Sequence, residues 1–295
     1  TGMWICIFFA FLADLKFGAV LLSSRPSLSP SQLSLAHLYT AALVLLQSAV
    51  ALTWVSPRHL SYVLGILLRV CCIVPLAPVT FSENLFADFL TSVSRLLKDL
   101  AYAGCYMRYW RDKDVLDIRS DCQASSGPAW LSLQVVLVMP LVIRIAQCVR
   151  RMSDTGVWMP HALNCGKYVT SVCVTALAAA PLTGLGLSHG QVQAVRIAGY
   201  ATATVYAATW DLVRDFGLLE PNRRCLFPSH AYVPAAAANL ALRSTWLLTY
   251  LPDLRAFVSA SSLNSECFSF AIGALELFRR ALWATIRLEH EHLSN

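Results

Sequence analysis

The sequence predicts an all-α fold, a polytopic integral membrane helix bundle with about nine transmembrane segments in this chain. Three observations predict it. Of the 295 residues, 57% are hydrophobic and only 14% charged, with a mean hydropathy of +0.56; soluble domains carry roughly 25% charged residues. The apolar residues gather in runs of about 20, the helical length that crosses a hydrocarbon core of about 30 Å. Turn chemistry separates the runs. The same figures exclude a disordered chain, which is polar and highly charged, and a large soluble enzyme.

In chain order the runs lie near 3–22, 36–55, 61–80, 84–106, 129–148, 165–187, 191–211, 231–251 and 267–287. Between them stand Arg25-Pro26 to Pro30, Ser56-Pro57, Ser126-Gly127-Pro128, Gly184 to Gly190, Glu220-Pro221-Asn222 and Pro252-Asp253, which favour turns over continued helix. The first three runs are mostly apolar, interrupted by Asp14, Lys16 and Arg69. They form an expected N-terminal block of helices over 1–80, followed by a six-helix bundle over 81–295.

The last six runs differ in kind. They contain Asp88, Arg95, Lys98, Asp99, Arg144, Lys167, Arg196, Asp211, Arg243, Glu276, Arg279 and Arg280. Each charge at mid-bilayer costs about 2.5–3.5 kcal/mol on insertion scales, so such residues face one another or a wet cavity. Eight of these twelve are cationic and four acidic, and an excess of fixed positive charge in low dielectric attracts anions. The plainer alternative is internal pairing, or snorkelling from a helix end, above all for Lys98, Arg196 and Arg279.

The net charge of +6 does not point to nucleic acid, because no basic run with interleaved aromatics lies on a solvent-facing segment. Only Lys16, Lys98, Lys113 and Lys167 among the 23 basic residues are lysines. The arginines offer forked donors suited to oxyanions. Most of the ten cysteines sit in or beside apolar runs as small hydrophobes. Cys105 and Cys122 flank one polar loop and would pair if that loop faces an oxidising compartment. No cofactor or metal is implied: His290 and His292, interleaved with Glu289 and Glu291, read as polar surface, and the sequence has no zinc spacing. Nor does it carry a HExxH or GxSxG arrangement, so an enzyme is not expected.

Helical spacing sorts the charges into faces. Asp88, Thr91, Arg95 and Asp99 share one face; Arg144, Gln147 and Arg151 share another. Asp211 and Asp215 lie one turn apart, Asn239, Arg243 and Trp246 form a stripe, and Glu276 precedes Arg279 and Arg280 by one turn. Glu276 can therefore pair with one guanidinium and leave the other available. Arginine forks, one lysine and hydroxyl or indole donors suit a tetrahedral oxyanion, and Arg243, Arg280, Lys167 and Tyr168 supply such a set. Asp88 and Asp211 would hold those cations and temper affinity, since an ion bound too tightly does not leave. The structural alternative for Arg243 and Arg280 is a helix–helix ion pair with Asp211 and Glu276.

Phe86-Ala87-Asp88-Phe89-Leu90-Thr91-Ser92, Arg144 through Arg151, Asn164-Cys165-Gly166-Lys167-Tyr168, Trp210-Asp211-Leu212 through Asp215, Leu242-Arg243 with Trp246, Leu275 through Arg280, and Arg287-Leu288-Glu289-His290-Glu291-His292 occur in this order. Together they resemble the EXS domain of the SPX–EXS family of phosphate exporters, which includes the xenotropic and polytropic retrovirus receptor. The resemblance spans about residues 60–295. It implies export of inorganic phosphate from the cytosol through the C-terminal helices. The residues it places on the path, by motif, are Asp88, Thr91, Lys167, Tyr168, Asp211, Arg243, Trp246, Glu276, Arg279 and Arg280. Arg150, Arg151 and Asp215 are expected at a cytosolic mouth; for Arg150 and Arg151 the plainer reading is contact with lipid headgroups. Phe89, Met152, Cys165 and Phe216 depart from the family pattern without removing a charged candidate.

Further expectations follow from the resemblance. Inositol pyrophosphates would regulate such a protein through an SPX domain, to which nothing in this chain corresponds. Cytosolic termini would require one more helix upstream of nine crossings. Arginine and lysine counts in the loops, seven against six, give no orientation by the positive-inside rule. The expected partners are inorganic phosphate and membrane lipids, with a homodimer as an open assembly state. The expected location is the plasma membrane, the alternative the Golgi membrane. A competing function is a non-transporting receptor or retention factor whose buried ion pairs only fix helix packing.

Overall fold

All regular structure among the described residues is helical. The computed structural model describes residues 57–73, 77–109, 122, 127–220, 226–260 and 262–294; the expected runs at 3–22 and 36–55 lie outside them. We number the helices α1 (Pro57–Leu68), α2 (Phe81–Tyr109), α3 (Gly127–Thr155), α4 (His161–Ala179), α5 (His189–Trp210), α6 (Tyr232–Arg243), α7 (Pro252–Ala260) and α8 (Ser262–Ser294). The stretch Leu131–Thr155 of α3 is long and apolar enough to cross a membrane by length and composition. Helices α2 and α8 carry charges along their length, and α6 has only 12 residues, about 18 Å at 1.5 Å per residue.

The chain falls into two compact units. One contains Thr1–Ile66, Val93–Leu137 and Pro252–Ala274; the other contains Leu67–Ser92, Val138–Leu251 and Leu275–Asn295. In the first unit a disulfide joins Cys105 of α2 to Cys122. The two cysteines that flank the polar loop are therefore bonded, as an oxidising compartment permits. At the junction of α7 and α8, Asn264 Nδ2 donates to the Phe257 carbonyl at 2.8 Å.

The second unit holds the charged helices. Its stretch of α2 starts from a capping box: the Thr80 N–H donates to Glu83 Oε2 at 2.9 Å, and the Glu83 N–H donates to Thr80 Oγ1 at 3.3 Å. This pair satisfies two backbone donors that the first helical turn leaves free. Glu83 also pairs with Arg69, in the π turn Arg69–Ile73 that follows α1. Helices α4 and α5 run antiparallel: Tyr206 Oη donates to the Leu163 carbonyl at 2.8 Å, and Gly199 lies against Val174 and Leu177. Their close approach depends on two glycines. A Cβ at Gly166 would sit 2.9 Å from Tyr206 Oη, and one at Gly199 would sit 3.3 Å from Leu177 Cδ2. Arg196 Nη2 donates to the Ala180 carbonyl at 3.1 Å, closing an orphan carbonyl at the end of α4. The plainer reading of Arg196 is thus the one realised.

Two expected continuous runs are interrupted. The run at 191–211 ends in a π turn, Asp211–Asp215, where the Phe216 N–H reaches the Asp211 carbonyl at 2.7 Å. The run at 231–251 stops as α-helix at Arg243, and a tighter 3-10 helix covers Thr245–Tyr250. Ser244 has left helical geometry there, with φ −90° and ψ 8°. Neither interruption contains a Gly or Pro at the break, so turn-residue reasoning misses both. Below them Phe216, Tyr232, Trp283 and Ile286 form a buried cluster, packed by Leu85, Leu212, Leu218, Ala235 and Ala284.

Two measurements test this arrangement. Cys105→Ser should lower unfolding stability by about 2–4 kcal/mol, the usual contribution of a disulfide closing a loop of this order. Ile286→Ala should cost about 2–5 kcal/mol through cavity formation, read from chemical unfolding of the purified protein.

Candidate functional site

A cavity of about 180 Å³ opens within the second unit, more than ten times the roughly 10–15 Å³ that one water requires. Every residue on its wall comes from that unit. Charges dominate the wall: Lys167, Arg243, Arg279 and Arg280 face Asp88, Asp211, Asp215 and Glu276. The expected excess of positive charge is therefore absent from the wall itself, where four cations meet four acids. The reason is that Arg144 stands off the wall, Arg196 is spent on the Ala180 carbonyl, and Asp215 joins the acids. What distinguishes the groups is how they are partnered.

Three of the acids are held by arginines. Arg144 Nε lies 3.0 Å from Asp88 Oδ1, and Tyr168 Oη donates to the same oxygen at 2.5 Å. Arg144 itself is held from the other side by the Asn84 carbonyl at 3.3 Å and by Gln147, and its guanidinium stacks over the Tyr168 ring at 4.9 Å. Asp211 Oδ2 accepts from Arg243 and, at 2.9 Å, from Asn239 Nδ2. Glu276 accepts from Arg279 twice, at 2.8 and 2.6 Å, and from Ser92 Oγ at 2.7 Å. Arg279 also donates to Asn239 Oδ1 at 3.1 Å. Asn239 thereby links two ion pairs.

Two cations remain. Lys167 and Arg280 are both buried, 8% exposed each, and neither has a carboxylate within ion-pair distance among the described residues. Lys167 Nζ lies over the Tyr168 ring at 4.5 Å and the Trp210 ring at 5.2 Å. Arg280 donates from Nε to Ser92 Oγ at 2.7 Å and from Nη2 to Thr91 Oγ1 at 3.2 Å, and covers the Trp283 ring at 4.6 Å. Cation–π contacts contribute about 0.5–2 kcal/mol, whereas burying an unpaired ion costs several kcal/mol. The imbalance is what an anion in the cavity would relieve. Arg243 adds a buried Nε with no hydrogen bond, so it retains a donor while holding Asp211.

The sequence-derived candidates divide accordingly. Asp88, Thr91, Lys167, Tyr168, Asp211, Arg243, Glu276, Arg279 and Arg280 all lie on one wall. Asp215, expected at a mouth, lies on that wall too. Trp246 does not; its indole N–H donates to Thr204 Oγ1 at 2.9 Å, and its ring stacks on Tyr200 at 5.4 Å. Arg150 pairs with Asp154 one turn on, at 2.8 Å. At the start of α4, burial and then the Arg151 and Arg214 cations hold the His161 imidazole below its ordinary pKa. The side chains of Arg95 and Asp99 lie outside the described residues.

Sequence reasoning passed over Ser92, Ser171, Asn239 and Trp283 as site residues. Ser171 lies on the wall; Asn239 and Ser92 join the ion pairs; Trp283 donates to Asp215 at 3.1 Å. Asn239 stood on the Arg243 stripe and Trp283 lies one turn beyond Arg279 and Arg280, so helical spacing had the signal.

Residues 1–293 match the EXS family. The chain belongs to the EXS family. The match reaches the first residues, beyond the span of about 60–295 that the motifs cover. Among similar proteins, the xenotropic and polytropic retrovirus receptor 1 homolog of Xenopus laevis is 30% identical over 79% of this chain and 35% of that protein. Human solute carrier family 53 member 1 is 28% identical over 79% of this chain and 36% of its own length. Phosphate transporter PHO1-1 of Oryza sativa subsp. japonica is 32% identical over 78% of this chain and 28% of its own length. This EXS chain thus spans about a third of the length of the curated relatives it matches. The family is one of membrane transporters rather than enzymes.

The ion-pair assignment has a direct test. Removing Arg144 strands Asp88 in the interior, so Arg144→Met should destabilise the protein by about 3–5 kcal/mol. Adding Asp88→Asn should recover a large part of that loss, since an amide leaves no buried charge. Unfolding curves of the two variants, compared with wild type, decide it.

Proposed function

We propose that this chain is the transport part of an inorganic phosphate exporter, and that phosphate leaves the cytosol through the cavity of the second unit. One observation carries the reading: Lys167 and Arg280 are buried cations on a polar cavity wall, held by hydroxyls and rings but matched by no carboxylate among the described residues. The family supports the cargo, since one relative is named a phosphate transporter. In this account Lys167 and Arg280 take the oxyanion, Arg243 adds a donor, and Thr91 and Tyr168 set the geometry. Asp88, Asp211 and Glu276 anchor the arginines and keep affinity moderate, as conduction requires. Arg150 and Arg151 collect anions at the cytosolic end, and Trp246 braces the broken helix from behind the wall. Interrupted helices beside a polar cavity suit this role, because non-helical backbone at membrane depth is tolerated where it lines such a space.

The proposed architecture is about nine crossings, with helices over 1–80 preceding a transport bundle over 81–295, in the plasma membrane. Movement is passive: a negative-inside potential already drives anions outward. A receptor or retention factor without transport accounts for the Asp88–Arg144, Asp211–Arg243 and Glu276–Arg279 pairs, but gives Lys167 and Arg280 no task.

Radiolabelled phosphate efflux from vesicles containing the full-length protein tests both parts. Lys167→Ala and Arg280→Ala at unchanged protein level should each lower efflux at least about 10-fold, the effect of losing one charge-assisted contact of about 1.5–3 kcal/mol. Unchanged efflux in both would refute the site. Dissipating proton and sodium gradients should leave the rate unaltered; a rate that vanished would refute passive movement.

A further inference from the structure

The cavity wall poses a problem for any anion, because four carboxylates share it. Three of them are occupied by Arg144, Arg243 and Arg279. Asp215 is not. Its Oδ2 accepts from the Trp283 indole at 3.1 Å, and its Oδ1 lies 3.7 Å from Arg287 Nε, a distance beyond an ordinary hydrogen bond. Arg287 in turn has a nearer partner in Glu291, at 3.0 Å. Asp215 therefore brings to the wall a carboxylate with acceptor capacity to spare, since an ionised carboxyl offers about four lone-pair sites.

A fully deprotonated tetrahedral anion held by Lys167 would meet Asp215 as a like charge with no hydrogen between them. An anion that keeps an acidic hydroxyl would instead donate that hydrogen to Asp215 Oδ1. Phosphate and arsenate carry such a hydroxyl at neutral pH, and sulfate carries none. We infer that Asp215, on the wall with Lys167, is the specificity residue of the cavity and selects hydrogen-bearing tetrahedral oxyanions, phosphate and arsenate, over sulfate. This rests on the reading that the cavity passes an oxyanion. It adds that the acids of the wall choose the cargo while the cations attract it. A site built to accept a hydrogen bond rejects analogues that lack the donor far more strongly than a pocket rejects a missing methylene.

The test is flux and competition at pH 7.5 in proteoliposomes of the full-length protein, with phosphate, arsenate and sulfate as the anions. Wild type should move phosphate and arsenate at similar rates and favour phosphate over sulfate by at least about 100-fold. In Asp215→Asn the amide oxygen still accepts from Trp283, so the fold is kept, while its N–H₂ can donate to sulfate. That variant should narrow the phosphate-to-sulfate ratio at least about 10-fold; Asp215→Glu, which keeps the carboxylate, should stay nearer wild type. Should neither variant fold, competition in wild type decides: arsenate must block phosphate flux and equimolar sulfate must not. Phosphate flux with sulfate carried equally, or a ratio unchanged in Asp215→Asn, overturns the inference and leaves phosphate transport standing. A wild-type protein that moves no phosphate overturns the transport reading and this inference with it.

Discussion

Charge buried among helices must be matched, because the interior dielectric magnifies both attraction and the loss of hydration. The second unit meets this demand for three of its wall acids. Asp88, Asp211 and Glu276 each receive an arginine and at least one neutral donor. Among the described residues, two cations are left with hydroxyls and aromatic faces alone. A packing device alone would favour closing those two pairs as well, since one-sided burial is the expensive arrangement. The asymmetry between satisfied acids and unsatisfied cations is what the remaining features serve.

Backbone irregularity shapes the acidic side of that wall. The π turn Asp211–Asp215 carries both carboxylates to the wall. Stopping α6 at Arg243 brings that guanidinium to Asp211 while the 3-10 segment takes Trp246 towards Tyr200. π turns and 3-10 stretches within helices are frequent at functional sites.

Much of the wall was legible in the sequence, since charged residues in apolar runs announce themselves and helical spacing groups them. The spacing of Glu276, Arg279 and Arg280 foretold one paired and one available guanidinium, but not which; the i,i+3 partner Arg279 won. Charge counting overestimated the positive excess, because it could not see that Arg144 lies behind the wall, that Arg196 closes a helix end, or that Asp215 lies inside. The break after Arg243 was invisible, as Ser244 is no strong turn former. Trp246 lies off the wall for the same reason: its position on the Arg243 stripe holds only if the helix continues. Ser92 and Ser171 were passed over because small hydroxyl residues carry little signal until their neighbours are known.

The most direct measurement is a density map of the full-length protein in lipid with phosphate present, beside the same map for Arg280→Ala. The account predicts tetrahedral density contacting Lys167 and Arg280 in the wild type, weakened or gone in the variant, with the Glu276–Arg279 pair intact in both. A wild-type map in which Lys167 and Arg280 each close onto a carboxylate and the space between them holds only solvent would contradict it.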